Sequence, residues 1–133
     1  MNLFELREVD GAFDFLVDGV SLREVLVTDD ISTLRQWQHP QGFARELLDT
    51  DGSLKGRVPI YACRECYVYL DTWCGGYAVR VSRSNGRIVW HEIEKFSNSV
   101  GDNGVQLDFT PTGVGPFEFD LAHYRSAIEP SLA

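Results

Sequence analysis

Gly75-Gly76-Tyr77-Ala78-Val79-Arg80-Val81-Ser82-Arg83-Ser84-Asn85-Gly86-Arg87-Ile88-Val89-Trp90-His91-Glu92-Ile93-Glu94 reads as two strands around a turn, and the register of that hairpin decides the fold. Asn-Gly between alternating apolar residues is a strong hairpin signal, because both residues tolerate left-handed backbone. A two-residue turn would set Val79 against Glu92 and Tyr77 against Glu94, mixing apolar and acidic residues on one face. A three-residue loop with Gly86 left-handed pairs Val81 with Val89, Val79 with His91 and Tyr77 with Ile93. That register predicts one continuous apolar face, and it is the expectation. Ile88, Trp90 and Glu92 then share the opposite face, which a helix or a partner must cover.

Working outward, Phe4 and Leu6, then Phe13, Phe15 and Val17, alternate with polar neighbours as short strands do, with a turn at Asp18-Gly19. Val58 to Cys63 reads as a strand with Pro59 near its start, where a missing amide is tolerated. Val105, Leu107 and Phe109 alternate as another strand, and Phe117 and Phe119 as a very short one. Ser21 and Glu24 have the spacing of a capping box for a helix over Leu22 to Leu26. Phe43, Leu47 and Leu48 suggest a second helix, after a break at His39-Pro40. Asp120 is a good N-cap for a last helix burying Leu121, Tyr124, Ala127 and Ile128, with Pro130 as its stop. The class expected is α+β, one domain over 1–133 with a mainly antiparallel sheet and short helices, one of them C-terminal.

The charge balance narrows the function classes. Twenty acidic against 12 basic residues give −8, a surface that repels phosphate backbones and attracts a basic partner. Nucleic acid is therefore not an expected ligand. The N-terminus has no basic, apolar leader pattern, and no apolar run approaches the roughly 20 residues that span a bilayer. With an odd count of three cysteines and no signal for export, a reducing cytoplasm is the expected compartment and a membrane is not.

Those cysteines are the main chemical feature. Cys63 and Cys66 have the Cys-x2-Cys spacing of a zinc knuckle, in which two thiolates share a tetrahedral ion, and Cys74 is a candidate third ligand. His39, Asp71, Glu65, His91 and His123 are the candidates for a fourth. In the expected register His91 lies opposite Val79, about 17 Å along a strand from Cys74. The same pair also fits a thiol-redox site, although no helix N-terminus beside it lowers a thiol pKa. The bland alternative is three small buried side chains at a strand corner. Gly75-Gly76 fits relief of crowding or a bulge as the next strand starts.

Pro59-Ile60-Tyr61-Ala62-Cys63-Arg64-Glu65-Cys66, then Cys74-Gly75, Val79-Arg80-Val81 and Ile88-Val89-Trp90, then Pro116-Phe117-Glu118-Phe119-Asp120 with Tyr124, resembles a family of small uncharacterised bacterial proteins. The resemblance covers roughly the C-terminal half, through its Cys-x2-Cys…Cys-Gly and Phe-x-Phe-Asp-x3-Tyr motifs, and implies structure rather than an activity. In that family a short Gly-Asp-Leu-Gly stretch separates the second and third cysteines. Here the separation is longer and aromatic, Tyr67-Val68-Tyr69-Leu70-Asp71-Thr72-Trp73.

No Ser-His-Asp elbow and no His-Glu-x2-His motif occurs, and the three histidines are dispersed, so no catalytic residue is assigned. The acidic pairs Asp29-Asp30, Asp49 with Asp51, and Glu92 with Glu94 are weak as acid–base groups and better as an acidic binding surface. Trp73 and Trp90, near Tyr67, Tyr69 and Tyr77, are core residues or interface anchors, and Trp90 is the ring to watch. Trp73, Trp90, Glu92 and Glu94 are thus the candidate partner-binding residues. The leading expectation is a non-enzymatic binding protein that masks a basic partner, most concretely an immunity-type inhibitor of a toxin. A cysteine-centred zinc or thiol-redox protein is the alternative.

Overall fold

The two-residue turn prevails. In the computed structural model, which describes residues 1–9, 12–34, 42–62, 75–101 and 104–132, Asn85 and Gly86 both have positive φ, 48° and 78°. That is the twist a tight hairpin needs. Strands β7 (Val81–Ser84) and β8 (Arg87–Trp90) then pair Ser84 with Arg87 and Val81 with Trp90, one residue away from the expected register. Beyond this the register changes again. β6 (Gly75–Val79) pairs with β9 (Glu94–Gly101) so that Tyr77 faces Lys95 and Ala78 faces Glu94.

Between these two ladders, Val79 and Arg80 on one strand oppose His91, Glu92 and Ile93 on the other. The extra residue is a bulge. It removes the conflict of a single register, because Ile93 leaves the ladder and bonds instead to the 112–114 segment through Val114 O and the Thr112 N–H. The inward set is therefore Ile88, Trp90 and Ile93, while Val89 is half-buried and His91 is exposed, reversing the expected face.

The class is α+β, with mainly antiparallel sheets. β1 (Phe4–Val9), β2 (Ala12–Val17) and β3 (Val20–Ser21) form a meander. Its second turn is Asp18-Gly19, again with positive φ at both residues. A five-stranded sheet runs β10-β9-β6-β5-β4, where β4 is Ile31–Ser32, β5 is Val58–Ala62 and β10 is Gly104–Pro111. β11 (Phe117–Asp120) joins β8 and β7 in the third sheet. A lone bridge from Asn2 to Phe119 ties the meander to it. β5 and the 76–79 stretch of β6 are buried on both faces, as central strands are. Gly76 is needed there: a Cβ would sit 2.1 Å from Tyr61 O of the neighbouring strand.

Three short helices cover this frame: α1 (Leu22–Leu26), α2 (Gly42–Asp49) and α3 (Leu121–Ile128). α3 is capped as expected, the Asp120 carboxylate accepting the His123 N–H at 2.9 Å. At Pro130 the chain tightens into a 3-10 turn, Glu129–Leu132, rather than stopping. The Ser21 capping box does not form. Ser21 lends its hydroxyl to the buried Asp14 carboxylate instead, leaving α1 without a side-chain cap.

The core is aromatic. Phe4, Phe15, Trp90, Phe119 and Tyr124 meet with ring centroids 4.8–6.4 Å apart, and all are fully buried. Such ring pairs contribute about 0.5–1.5 kcal/mol each beyond the area they bury. Their polar tips are satisfied: Trp90 Nε1–H donates to Tyr124 OH at 3.1 Å, which donates to Leu47 O at 3.0 Å. That chain of bonds pins α3 and α2 to β8. No helix among the described residues is long and apolar enough to cross a membrane.

Candidate functional site

A cleft of about 1070 Å³ opens between the meander with α1 on one side and strands β6 and β9 on the other. Its floor carries a buried polar cluster. Asp14, opposite Arg7 on β1, accepts from the Tyr61 hydroxyl at 2.6 Å and from Ser21. Burial, reinforced by the hydrogen bond to Asp14 and its charge, pushes the Tyr61 phenol far above its usual range. Tyr61 is therefore a fixed donor at any physiological pH. The cluster ties β5 to the meander and gives the cleft a rigid base.

The mouth is formed by α1 and the residues after it. Arg23, Glu24, Val27, Thr28, Asp29 and Asp30 line it, with Lys95 and Ser97 across the opening. α1 ends on Val27, which adopts φ 54°, ψ 58° and is 88% exposed. A β-branched residue is rare in that region, which ordinarily suits glycine or asparagine. Arg23 reaches the Asp29 carbonyl with one terminal nitrogen at 3.3 Å. Its Nε is buried without a hydrogen bond, alone in this respect among buried side-chain polar atoms of the described residues. Asp30 is half-buried; partial burial and the neighbouring Asp29 raise its carboxyl above the usual range, against the opposing pull of the Thr28 hydroxyl, Lys95 and Arg23.

The residues expected to bind a partner are placed elsewhere. Trp90 lies at the centre of the core, 0% exposed, so it anchors the fold and no partner reaches it. Glu94 receives both Nε and Nη2 of Arg57, at 3.0 and 3.2 Å, in a pair only 17% and 14% exposed respectively, with the guanidinium 3.7 Å over the Phe109 ring. Glu92 accepts the Gly113 N–H at 3.0 Å and holds the 112–114 turn. The hairpin register explains both: the bulge turns these carboxylates toward neighbouring chain segments rather than to a common outer face. Trp73 and the metal candidates Cys63, Cys66 and Cys74 lie outside the described residues, as do Glu65 and Asp71.

His91 donates its backbone N–H to Arg80 O and meets Ser82 Oγ through Nε2 at 2.9 Å. It is thus paired with Arg80, beyond the end of β6 away from Gly75. His123 is occupied too, its Nε2 lying 3.0 Å from Phe4 O. Among the described residues no three His, Cys, Asp or Glu side chains converge as metal ligands would.

Arg23 and Val27 were not singled out from the sequence. The available signal was the valine itself: Leu26-Val27-Thr28 ends a helix with neither glycine nor asparagine. The Asp29-Asp30 pair was singled out, and it is the one acidic pair of the three that lines this cleft. No family model matches the chain, and no curated protein or solved structure matches it either.

Proposed function

We propose that this is a non-enzymatic binding protein that masks a basic partner, of the immunity type that neutralises a toxin, and that the cleft mouth beside α1 is its working surface. The carrying observation is that three departures from stable design occur together there: the left-handed Val27, the unpartnered Arg23 Nε and the desolvated Asp30. Local rules are broken most readily where a surface serves something other than the fold. The −8 charge supports fast, salt-sensitive association with a cationic protein.

The test is neutralisation. A gene beside this one that encodes a basic, growth-arresting protein is expressed alone and then together with this chain. Restored growth, and a complex whose association slows steeply with added salt, are the expected results. Arrest that persists on co-expression, or the lack of any such neighbour, removes the reading.

A second reading, a cysteine-centred zinc or thiol protein, draws support from the pairing of Ala62 with Gly76, which holds the two ends flanking the cysteine segment side by side. Metal analysis of untagged protein tests it. About one zinc per chain favours it, while three freely titrating thiols with no zinc count against it.

A further inference from the structure

The five-stranded sheet ends on β10, whose outer edge is long and little protected. We infer that this edge is a homodimer interface, β10 pairing antiparallel with β10 of a second copy of this chain about a two-fold axis at Leu107. The inference is independent of the cleft and of the partner-masking reading.

The direction of the backbone groups follows from the register. Thr112 donates its N–H to Ile93 O, and the β9–β10 ladder runs on from there to Gly104 opposite Gly101. In an antiparallel ladder alternate residues bond to the same neighbour, so Thr110, Asp108, Gln106 and Gly104 turn their N–H and C=O groups to β9. Those of Val105, Leu107 and Phe109 point away from it. Among the described residues no strand pairs with that side. β6 accompanies β9 only from Glu94 to Ser97, so beyond Ser97 the β9–β10 ribbon has two strands among the described residues. Two strands alone are marginally stable in water, and a third supports them.

Such edges are ordinarily blunted by lysines, prolines or short length. β10 spans eight residues, holds one charged side chain, Asp108, and has its proline at the last position. Pro111 belongs to the outward set, where its missing N–H ends the run of donors. The usable edge is therefore Gly104 to Thr110, with Leu107 at its centre.

The occupant follows from what this edge matches. About an axis at Leu107, Val105 stands opposite the partner's Phe109 and Leu107 opposite the partner's Leu107, each pair exchanging both backbone hydrogen bonds. Leu107 and Phe109 are half-buried against the core, and a neighbouring strand covers more of them. On the exposed face Gln106 meets the partner's Asp108, and Asp108 the partner's Gln106. Moving the axis to Asp108 sets the two carboxylates directly opposite each other, which disfavours that register. A basic strand is the poorer fit, since β10 offers it a single acid.

The experiment is sedimentation velocity of the reduced chain from micromolar to millimolar concentration, with amide hydrogen exchange at both extremes. One strand pair is a small interface, so a dissociation constant of about 10–100 µM is expected. Added salt should tighten it, because each copy carries a charge of −8. Raising the concentration should slow exchange selectively at Val105, Leu107 and Phe109, whereas Gln106 and Asp108 are protected throughout. Q106K sets a cation opposite the partner's Asp108 twice per dimer and should tighten association about threefold or more, and Q106E should weaken it by as much. Gln106 is exposed, so both variants should keep the melting temperature of the dilute monomer.

A chain that stays monomeric, or a dimer that leaves the three outward amides open, would overturn the inference. So would outward amides already protected in the dilute monomer, which would put another segment of this chain on the edge. Outward amides protected only by the cationic protein of the proposed function, or equal dimer affinities for Q106K and Q106E, would overturn it as well.

Discussion

Around Trp90 every group is satisfied: five fully buried rings meet edge to face, tilted or stacked, and the indole N–H and the Tyr124 hydroxyl pass their hydrogen bonds on to Leu47 O. At the cleft mouth, Arg23 keeps a buried donor unbonded, Val27 holds a backbone shape that suits glycine, and Asp30 stands beside Asp29. Both regions belong to one small chain, so the contrast is not one of overall stability. It separates residues chosen for the fold from residues that the fold tolerates, and the second kind are where a function is sought.

The largest expected effect breaks the first region. Trp90→Ala removes the ring on which Phe4, Phe15, Phe119 and Tyr124 converge and should cost about 3–5 kcal/mol, a large share of the roughly 5–15 kcal/mol that holds a domain of this size. Chemical denaturation measures it. A loss under about 1 kcal/mol would show that Trp90 is not the centre of the core. Next comes Tyr61→Phe, which leaves Asp14 buried with Ser21 as its remaining hydroxyl donor and should cost about 1–3 kcal/mol. This variant sharpens the comparison by placing the cleft floor with the core, and its rim alone with the tolerated residues.

Much of the satisfied region could be read from the residues, and the physical reason is locality. Asp120 caps the helix that starts one residue later, and Asp18-Gly19 and Asn85-Gly86 make turns by their own backbone preferences. What failed was set by distant partners. The hairpin register depended on Ile93 leaving its ladder for the 112–114 segment, about twenty residues away. Ser21 had the spacing of a cap for α1, but Asp14 across the meander took its hydroxyl, a competition invisible in a local pattern. In the sequence Trp90 stands between core and interface because the two-residue turn that faces it inward is not the register expected, and Glu94 looks like surface because the bulge before it is not foreseen. The cleft was hardest to see. Its walls come from five strands and a helix separated by up to ninety residues, and of its marked residues only the Asp29-Asp30 pair and Val27, at a helix end without glycine or asparagine, carried a signal in sequence.

The third prediction is a gain. Val27→Gly relieves the left-handed strain at the end of α1 and should raise the melting temperature by about 1–3 °C, since the steric penalty it removes is about 1 kcal/mol and glycine's extra unfolded-state freedom returns part of it. A fall in melting temperature would mean that the exposed valine packs against something that stabilises the fold, and the contrast between the two regions would weaken.

The smallest effect is the most diagnostic, because its sign depends on pH. Asp30 holds its proton more tightly in the folded chain than in the unfolded one, through partial burial first and the charge of Asp29 second. Between the ordinary carboxylate range and its raised folded value the native state therefore binds more protons, and stability falls as pH rises through that window. Asp30→Asn has no such titration. The variant should match the wild type in strong acid, where both side chains are neutral, and exceed it at neutral pH by less than about 1 kcal/mol, solvent screening keeping a half-exposed charge modest. Urea midpoints at pH 3 and pH 7 measure the difference. If Asp30→Asn instead destabilises the protein at pH 7, then Arg23 and Lys95 already neutralise the carboxylate within the fold, and a partner's cation has no unpaid charge there to meet.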